Sequence, residues 1–285
     1  GDMYFHLESI ADACVDCGFR NVISEGITDN NKPQLYKRLQ WGIDNLQGKG
    51  NLIEYRLGLH AEYTNSEECI KMLADFAKQN KMPVYTHLCE TKKEVEECVE
   101  RHGKTPGEYL SDLGLFDYGG VAYHFVHPSE KDIKALKERN VSVVTCPASN
   151  LKLASGIAPL KRLADEGFNI AIGTDGAASN NALDMFREMF LATGLQKGTL
   201  GDPSVTSGDS VLDMATVNGA RAMGLKDFEG LSAGQNADIV MIDLHKPNMQ
   251  PLNNIVKNLV FAGSKSNVAM TIVAGRILYE NGEYS

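Results

Sequence analysis

Short apolar stretches alternate with helical patterns along most of this chain, and this alternation constrains the fold more than any other feature. Six stretches have the length and composition of strands: Asn21–Ser24, Leu52–Leu59, Pro83–Thr86, Gly120–Tyr123, Val141–Thr145 and Asn169–Gly173. Apolar residues at helical spacing occupy the intervals. Strands that alternate with helices pair in parallel, so the sequence predicts an α/β protein.

The predicted helices fill the intervals between these strands. They cover Ile10–Cys17, Pro33–Leu46, Ser66–Gln79, Lys92–Arg101, Pro106–Leu113, Ser129–Glu138, Ala158–Asp165, Leu183–Leu195 and Ser210–Ala222. A closed barrel of this kind needs eight strands. We therefore predict a (β/α)8 TIM-type barrel that lacks its first one or two strands, in an N-terminally truncated chain.

The character of the sequence changes at Leu231. Three β-rich runs follow, at Ala237–Asp243, Leu259–Ala262 and Val268–Tyr279, with glycines between them. Such runs are typical of antiparallel hairpins. We predict two domains, the incomplete barrel over residues 1–230 and a small β-rich portion of a β-sandwich over residues 231–285.

Charge and hydropathy exclude two classes of partner. The formal net charge is −9, and lysines and arginines are spread thinly, whereas nucleic-acid binding needs a clustered basic surface. No apolar run reaches the ~18 residues of a membrane helix. We expect a small-molecule ligand and neither a nucleic acid nor a membrane as partner.

The six cysteines are too few and too irregularly spaced for a disulfide framework. Cys14 and Cys17 form a C-x-x-C pair, but no second pair accompanies them and the surrounding pattern predicts a helix. We interpret these cysteines as buried or half-buried thiols, with redox or metal use as the alternative. A reducing cytoplasm fits this pattern best.

Polar residues recur where the predicted strands end. His60, His87, His124 and Asp175 each follow an apolar run directly, and Glu90 lies three residues beyond His87. The loops at the C-terminal rim of a barrel converge, so these residues are expected to meet in one mouth.

Each of these residues alone has a simpler explanation, because a histidine at a strand end or a Thr-Asp-Gly turn is usually structural. Together they predict a metal site with His87 and Asp175 as ligands. Imidazole and carboxylate suit one divalent metal, Zn²⁺ first and Fe²⁺ as the alternative. Glu90 is the candidate for moving protons at this site.

Longer motifs extend the pattern across the whole chain. They are Met3–His6, Leu59–Thr64, His87–Thr91, Ala122–His127, Cys146–Pro159 and Gly173–Asn180. Through them the sequence resembles the amidohydrolase superfamily, and within it the branch of S-adenosylhomocysteine, 5'-methylthioadenosine and 5'-deoxyadenosine deaminases.

This resemblance implies a role for each residue of the series. His87 and Asp175 would bind the metal, while His60 and Glu90 would contact a purine nucleoside. Glu90 would pass a proton to ring N1, His124 would orient or help deprotonate the water, and Asp175 would relay a proton to the departing ammonia. Protonation at N1 makes C6 of adenine electrophilic, so hydroxide can attack it.

Two departures from the family pattern stand out. The family also uses a His-x-His pair on the first barrel strand, and this sequence contains none. The chain therefore supplies two ligands, either because it is a fragment or because it has lost metal binding. The second departure is Glu25, at a position where relatives that take S-adenosylhomocysteine have an arginine for the carboxylate. Glu25 favours neutral 5'-tails.

Other interpretations stay open. Asn150, in the loop after the strand ending at Thr145, and Ser179 either line the pocket or brace the loops. A related deaminase or chlorohydrolase of guanine, a pterin or a triazine is the alternative within the same class. A metal-free, non-catalytic paralogue is the alternative outside it. Homo-oligomers are compatible with this kind of barrel, although no residue specifies one.

Overall fold

A computed structural model describes residues 1–228 and 230–285. The chain divides into two compact units. The first comprises Gly1–Val144 with Glu166–Phe168, and the second comprises Thr145–Asp165 with Asn169–Ser285. Glu229, the residue before the predicted end of the barrel domain, lies outside the described residues, and the division into domains 1–230 and 231–285 stays a prediction.

The first unit is built on a parallel sheet. Its strands are β1 (Asp2–Tyr4), β2 (Asn21–Glu25), β3 (Ile53–Leu59), β4 (Val84–Leu88), β5 (Gly120–His124) and β6 (Val141–Thr145, whose last residue belongs to the second unit). Each strand pairs in parallel with the next one along the chain, in the order β1 to β6. The carboxyl ends of these strands therefore lie at one edge, and their loops can share a site.

Helices separate the strands of the first unit. They are α1 (Leu7–Cys17), α2 (Leu35–Leu46), α3 (Glu67–Asn80), α4 (Lys92–His102), α5 (Pro106–Asp112) and α6 (Glu130–Glu138), with 3₁₀ turns at Asp29–Gln34, Lys49–Asn51 and Glu62–Thr64. Three of the helices begin at a side-chain cap, because Ser66, Thr91 and Ser129 each accept the backbone N–H three residues ahead. β2 is buried along its whole length, as expected for a strand of a covered parallel sheet.

The second unit contains one strand of the β/α series and a separate small sheet. Its helices are α7 (Pro147–Lys152), α8 (Leu160–Asp165), α9 (Ala177–Asn180), α10 (Met185–Leu200), α11 (Gly208–Ala215), α12 (Val217–Ala222) and α13 (Ile255–Phe261), with 3₁₀ turns at Pro247–Met249 and Lys265–Asn267. Its strands are β7 (Ile170–Ile172), β8 (Ile239–Ile242), β9 (Val268–Val273), β10 (Arg276–Glu280) and β11 (Glu283–Tyr284). The last four form an antiparallel sheet in the order β11-β10-β9-β8.

All six predicted strands are present, with ends that differ from the prediction by at most two residues. β1 was not predicted. It is only three residues long and is recognised by its pairing with β2, where Met3 lies opposite Ser24. Such a short segment carries no periodicity of its own.

The prediction of a β-rich run at Leu259–Ala262 is wrong. Residues Ile255–Phe261 form α13, and the Asn254 side chain caps it by accepting the N–H of Lys257 at 2.8 Å. A short apolar run fits a strand and a buried helix equally well. The cap is the local signal that separates the two.

Two predicted helices are interrupted. The stretch Pro33–Leu46 begins as a 3₁₀ turn that ends at Gln34, and α2 starts only at Leu35. The stretch Ser210–Ala222 is split into α11 and α12 at Thr216, whose backbone is non-helical with φ −126° and ψ −98°. Asn150 also differs from prediction, since it lies in the short helix α7 and not in a loop.

No helix among the described residues is both long and apolar enough to cross a membrane. No disulfide joins any of the six cysteines, all of which lie in the described part of the chain. Four are buried, Cys14 is half-buried, and Cys17 is exposed, contrary to the expected burial.

Candidate functional site in the loops after the parallel strands

Three histidines lie together where β3, β4 and β5 end in the first unit. His60 follows β3 directly, His87 is the next-to-last residue of β4, and His124 is the last residue of β5. The ring centroids of His60 and His87 are 5.2 Å apart, and those of His87 and His124 are 5.5 Å apart. The sequence series therefore converges as predicted within this unit.

The His87 ring is oriented by the backbone of the neighbouring strand. Its Nδ1 lies 2.7 Å from the carbonyl oxygen of His60. A carbonyl oxygen only accepts, so Nδ1 of His87 donates and, in the neutral ring, Nε2 carries the lone pair. This hydrogen bond is the arrangement that usually fixes the tautomer of a metal-binding histidine.

Glu90 and His124 face each other across a short gap. The distance from His124 Nε2 to Glu90 Oε2 is 3.9 Å, which is too long for a direct hydrogen bond. His124 is 2% exposed, whereas the Glu90 side chain is 17% exposed. The carboxylate is thus partly open to solvent while the imidazole is enclosed.

His60 is held on the other side of His87. Its Nδ1 lies 3.1 Å from Thr64 Oγ1, and that hydroxyl donates to the carbonyl of Ala61 at 3.0 Å. Burial lowers the pKa of the His60 imidazole, and the Glu90 carboxylate opposes this shift. The first effect is the larger, so the neutral ring is favoured.

Glu25 has a partner that the sequence did not reveal. Its buried carboxylate is bound through both oxygens by the Arg38 guanidinium of α2, with Nε 3.2 Å from Oε2 and Nη2 donating to Oε1. The side chain of Arg38 is 46% exposed, and that of Glu25 is 4% exposed. The negative charge expected at this position is therefore offset by a cation.

Asp175 lies in the second unit, in the loop after β7. Ser149 of α7 donates to its Oδ2 at 2.5 Å, and Oδ1 accepts the N–H of Gly176 at 2.7 Å. The backbone of Asp175 is left-handed, with φ +59°. Such a conformation costs free energy in a residue with a Cβ, so the surrounding bonds must maintain it.

A buried carboxylate binds both α7, which carries Ser149, and Asn180 of α9, which contacts the loop that carries Asp175. Glu188 of α10 is fully buried and accepts the N–H of Ala148 at 2.9 Å and the Asn180 amide at 2.7 Å. Asn180 in turn donates to the Thr174 carbonyl at 2.6 Å.

The remaining predicted residues also lie in the second unit. Asn150 is 1% exposed, and its carbonyl accepts the N–H groups of Ser155 and Gly156. Ser179 is half-buried in α9, and its N–H donates to the carbonyl of Gly176. These contacts are made by backbone atoms, and whether the two side chains line the pocket or brace the loops stays a prediction.

His87 and Asp175 each have the chemistry of a metal ligand. His87 offers a ring nitrogen and Asp175 a carboxylate. Each is oriented by a hydrogen bond, to the His60 carbonyl and from the Ser149 hydroxyl respectively, as is usual for the ligands of protein-bound metals. Across the described residues, however, no group of three or more His, Cys, Asp or Glu side chains is arranged to hold a metal ion. Catalytic zinc sites use three protein ligands. The chain therefore offers suitable donors but fewer than a complete set.

Sequence reasoning missed Arg38, Ser149 and Glu188. Arg38 and Glu188 lie in helices, and their partners are distant in the sequence, so no local pattern marks them. Ser149 lies within the motif Cys146–Pro159, and its position in the first turn of a helix that directly follows β6 is the signal that could have identified it.

Comparison with known proteins gives consistent results. The sequence profile described as the amidohydrolase family matches residues 1–278. A protein of Moorella thermoacetica named 5-methylthioadenosine/S-adenosylhomocysteine deaminase is 42% identical over 293 residues, which cover 99% of this chain and 67% of that protein. A Methanothermobacter thermautotrophicus protein named 5'-deoxyadenosine deaminase is 41% identical over 287 residues, covering 99% of this chain and 67% of that protein. The chain spans about two thirds of the length of such relatives.

A solved structure shows the same fold. A zinc-bound adenosine deaminase from Xanthomonas campestris superposes with a TM-score of 0.90 at 33% identity, covering 99% of this chain and 66% of that one. The predicted fold class, a (β/α) barrel of parallel strands with a small β-rich portion, is confirmed. The resemblance seen in the motifs is confirmed as well, and the chain belongs to the amidohydrolase family.

Proposed function

We propose that this chain carries catalytic residues of a metal-dependent aminohydrolase that removes the 6-amino group of adenine from 5'-modified adenosines. The products are the corresponding inosine analogue and ammonia. The observation that carries this proposal is the grouping of Glu90 with three imidazoles at the ends of β3–β5, in a chain 42% identical to a protein named as such a deaminase.

His87 and Asp175 are the proposed ligands of one divalent metal. Zinc is the first choice because a similar solved structure contains it, and iron is the alternative. When bound, such a metal lowers the pKa of water so that hydroxide is available at neutral pH.

We assign each proton transfer of the reaction to a residue of the chain. Glu90 protonates N1 of the adenine ring, which withdraws electrons from C6, and His60 contacts the purine. His124 orients the water or helps to deprotonate it. Asp175 passes a proton to the leaving amino group, which departs as ammonia. The distance of 3.9 Å between His124 Nε2 and Glu90 Oε2 supports this assignment, because it places both groups close to one another.

The 5'-tail is selected by the region around Glu25. We propose that methylthio and deoxy tails are preferred to homocysteine, because the carboxylate of Glu25 disfavours a second carboxylate. Arg38 weakens this preference, since it neutralises Glu25. Asn150 and Ser179 are proposed to line the nucleoside pocket.

A metal-free paralogue that binds a nucleoside without reacting is the second candidate. It is favoured by the absence, among the described residues, of a three-ligand group for a metal. In either case we place the protein in the cytoplasm, where reducing conditions suit its thiols.

The test is deamination by the 285-residue chain supplied with zinc. We expect release of ammonia from 5'-methylthioadenosine, and a loss of turnover by roughly 100-fold or more in Glu90→Gln with unchanged metal content. Metal content is measured by mass spectrometry. Stoichiometric zinc without ammonia from 5'-methylthioadenosine, 5'-deoxyadenosine or S-adenosylhomocysteine would refute the deaminase. Failure to retain zinc would refute metal-dependent deamination by this chain, and release of ammonia would refute the paralogue.

A further inference from the structure

Glu94 is a buried carboxylate that binds the turn carrying Glu90. It lies in the first turn of α4 and is 5% exposed. Its Oε1 accepts the N–H of Cys89 at 2.7 Å, and its Oε2 accepts those of Glu90 at 2.7 Å and Thr91 at 3.4 Å. A capping box requires only the bond to Thr91, which is the longest of the three. The two short bonds go to residues before the helix.

The turn whose N–H groups donate these hydrogen bonds is strained. Cys89 has φ +51°, a left-handed conformation that costs free energy in any residue with a side chain. Its N–H is held by Glu94, and its carbonyl accepts the N–H groups of Val126 at 3.0 Å and His127 at 2.9 Å. Both sides of the residue are therefore fixed.

The same bonds reach the loop that follows His124. His124 and Phe125 also have positive φ angles, +68° and +46°. The N–H of Phe125 donates to the carbonyl of Leu88 at 3.1 Å. The turns after β4 and β5 are thus joined by backbone hydrogen bonds. Among the hydrogen bonds described above, those to Glu94 are the ones that involve a side chain.

We infer that Glu94 is a positioning residue, which maintains the two turns so that Glu90 and His124 face the same space. The inference rests on the proposed function only for the catalytic roles of Glu90 and His124. Glu94 is separated from the reacting atoms by the backbone that it binds, so its effect would reach them through the position of Glu90.

The competing explanation is that Glu94 only caps α4. Two control variants distinguish a capping role from a positioning role. Thr91→Ala removes the cap, because Thr91 Oγ1 accepts the N–H of Glu94 at 3.1 Å, but it leaves the Glu94 carboxylate in place. Asp132→Asn changes a comparable buried carboxylate of α6, which accepts the N–H groups of Ser129 at 2.8 Å and Glu108 at 2.9 Å.

The experiment measures hydrogen exchange of individual amides in the 285-residue chain by NMR, without substrate. In Glu94→Gln one carboxylate oxygen is replaced by an NH₂ group, which cannot accept a hydrogen bond. We expect the Cys89 and Glu90 amides to exchange faster by about tenfold or more, beyond any change shared by the whole chain. Thr91→Ala and Asp132→Asn should not produce this local change.

Equal acceleration throughout the chain, or the same local change in Thr91→Ala, would overturn the inference in favour of simple capping. If Glu94→Gln does not fold, Glu94→Asp retains the charge but is one methylene shorter, and the same comparison is made with it. An unchanged local exchange in Glu94→Asp would then count against the inference.

Turnover provides a second measurement. Glu94→Gln should lower kcat by about 100-fold with a much smaller change in KM, because misplacing a catalytic group affects the reaction step. The double variant of Glu94→Gln and Glu90→Gln should lose little more turnover than Glu90→Gln alone.

If the wild-type chain deaminates no nucleoside, the proposed function fails, but the exchange measurement still decides whether Glu94 holds the turn. Normal kcat in Glu94→Gln beside an active wild type would refute the inference alone.

Discussion

Ser149 of α7 donates a hydrogen bond to Asp175, in the loop after β7 of the same unit, over a distance of 2.5 Å between Oγ and Oδ2. Ser149 is fully buried, whereas Asp175 is half-buried. The serine therefore fixes which way the carboxylate points while leaving part of it accessible. An oriented carboxylate binds a cation better than one that must be ordered on binding.

Ser149→Ala should weaken metal binding by about 10- to 100-fold, which is the usual cost of losing a hydrogen bond to a metal ligand. Zinc affinity is measured by competition with a chelator. Ser204→Ala is the matched control, because Ser204 donates to Asp202 at 2.6 Å on the surface of the same unit. Equal affinities of the Ser149 and Ser204 variants would refute the contribution of Ser149 to metal binding.

The sequence predicted the strand ends well because two signals coincide there. His60, His87 and His124 each follow an apolar run, and the parallel sheet of the first unit brings its carboxyl ends to one edge. Burial of the run fixes the strand, and the polar residue then falls at or just beyond its carboxyl end, inside the strand for His87 and His124 and directly after it for His60. This reasoning needs no long-range information.

The polar framework behind these residues was not predictable in the same way. Glu62 is 1% exposed and is bound by Arg101 at 2.5 Å and His102 at 2.9 Å, which follow about 40 positions later. Such pairings depend on the completed fold. Glu94 is an exception, because Thr91-x-x-Glu94 is a capping box that can be read in the sequence.

Gly42 permits the close approach of α2 to β3. A Cβ at this position would lie 2.4 Å from Cζ of Tyr55, whose ring is fully buried. Gly42→Ala should therefore lower the free energy of unfolding by about 2–3 kcal/mol. Urea denaturation measures the change.

Gly194→Ala provides the matched control for Gly42→Ala. Gly194 lies inside α10, and its added Cβ would meet no atom within 4 Å. Alanine is the better helix former, so this variant should gain about 0.5–1 kcal/mol. If the two variants were equally stable, the contact with Tyr55 would not limit residue 42.

Glu188 should make stability depend on pH. Burial raises the pKa of its carboxyl above the ordinary value of 4.5, against the effect of its hydrogen bonds to Ala148 and Asn180. Between 4.5 and the raised pKa the folded state binds more protons than the unfolded state, so stability falls as pH rises through that window. The loss is complete above the folded pKa.

Glu188→Gln removes this dependence because an amide does not ionise. Its NH₂ group can also face Asn180 Oδ1, which has no hydrogen-bond partner among the described residues. The stability of the variant relative to wild type should therefore improve as pH rises from 4.5 to the raised pKa of Glu188, as measured by urea denaturation at several pH values. Glu188→Asp, which keeps a carboxyl group, should retain the wild-type trend. A difference between Glu188→Gln and wild type that is constant with pH would contradict the burial effect.

The ion pair of Glu25 and Arg38 changes how tail selection should be tested. Glu25→Arg would place a second guanidinium beside Arg38. Repulsion between the two cations would then obscure any effect on tail preference. Glu25→Gln instead removes the negative charge and leaves Arg38 able to bind an anion. We expect the ratio of kcat/KM for S-adenosylhomocysteine to that for 5'-methylthioadenosine to rise by about tenfold, which is the effect of one charge-assisted hydrogen bond.

Glu54→Gln is the control for the loss of an arginine-paired carboxylate, since Glu54 pairs with Arg56 at 3.1 Å. A ratio that stays the same in both variants would mean that Glu25 takes no part in choosing the tail.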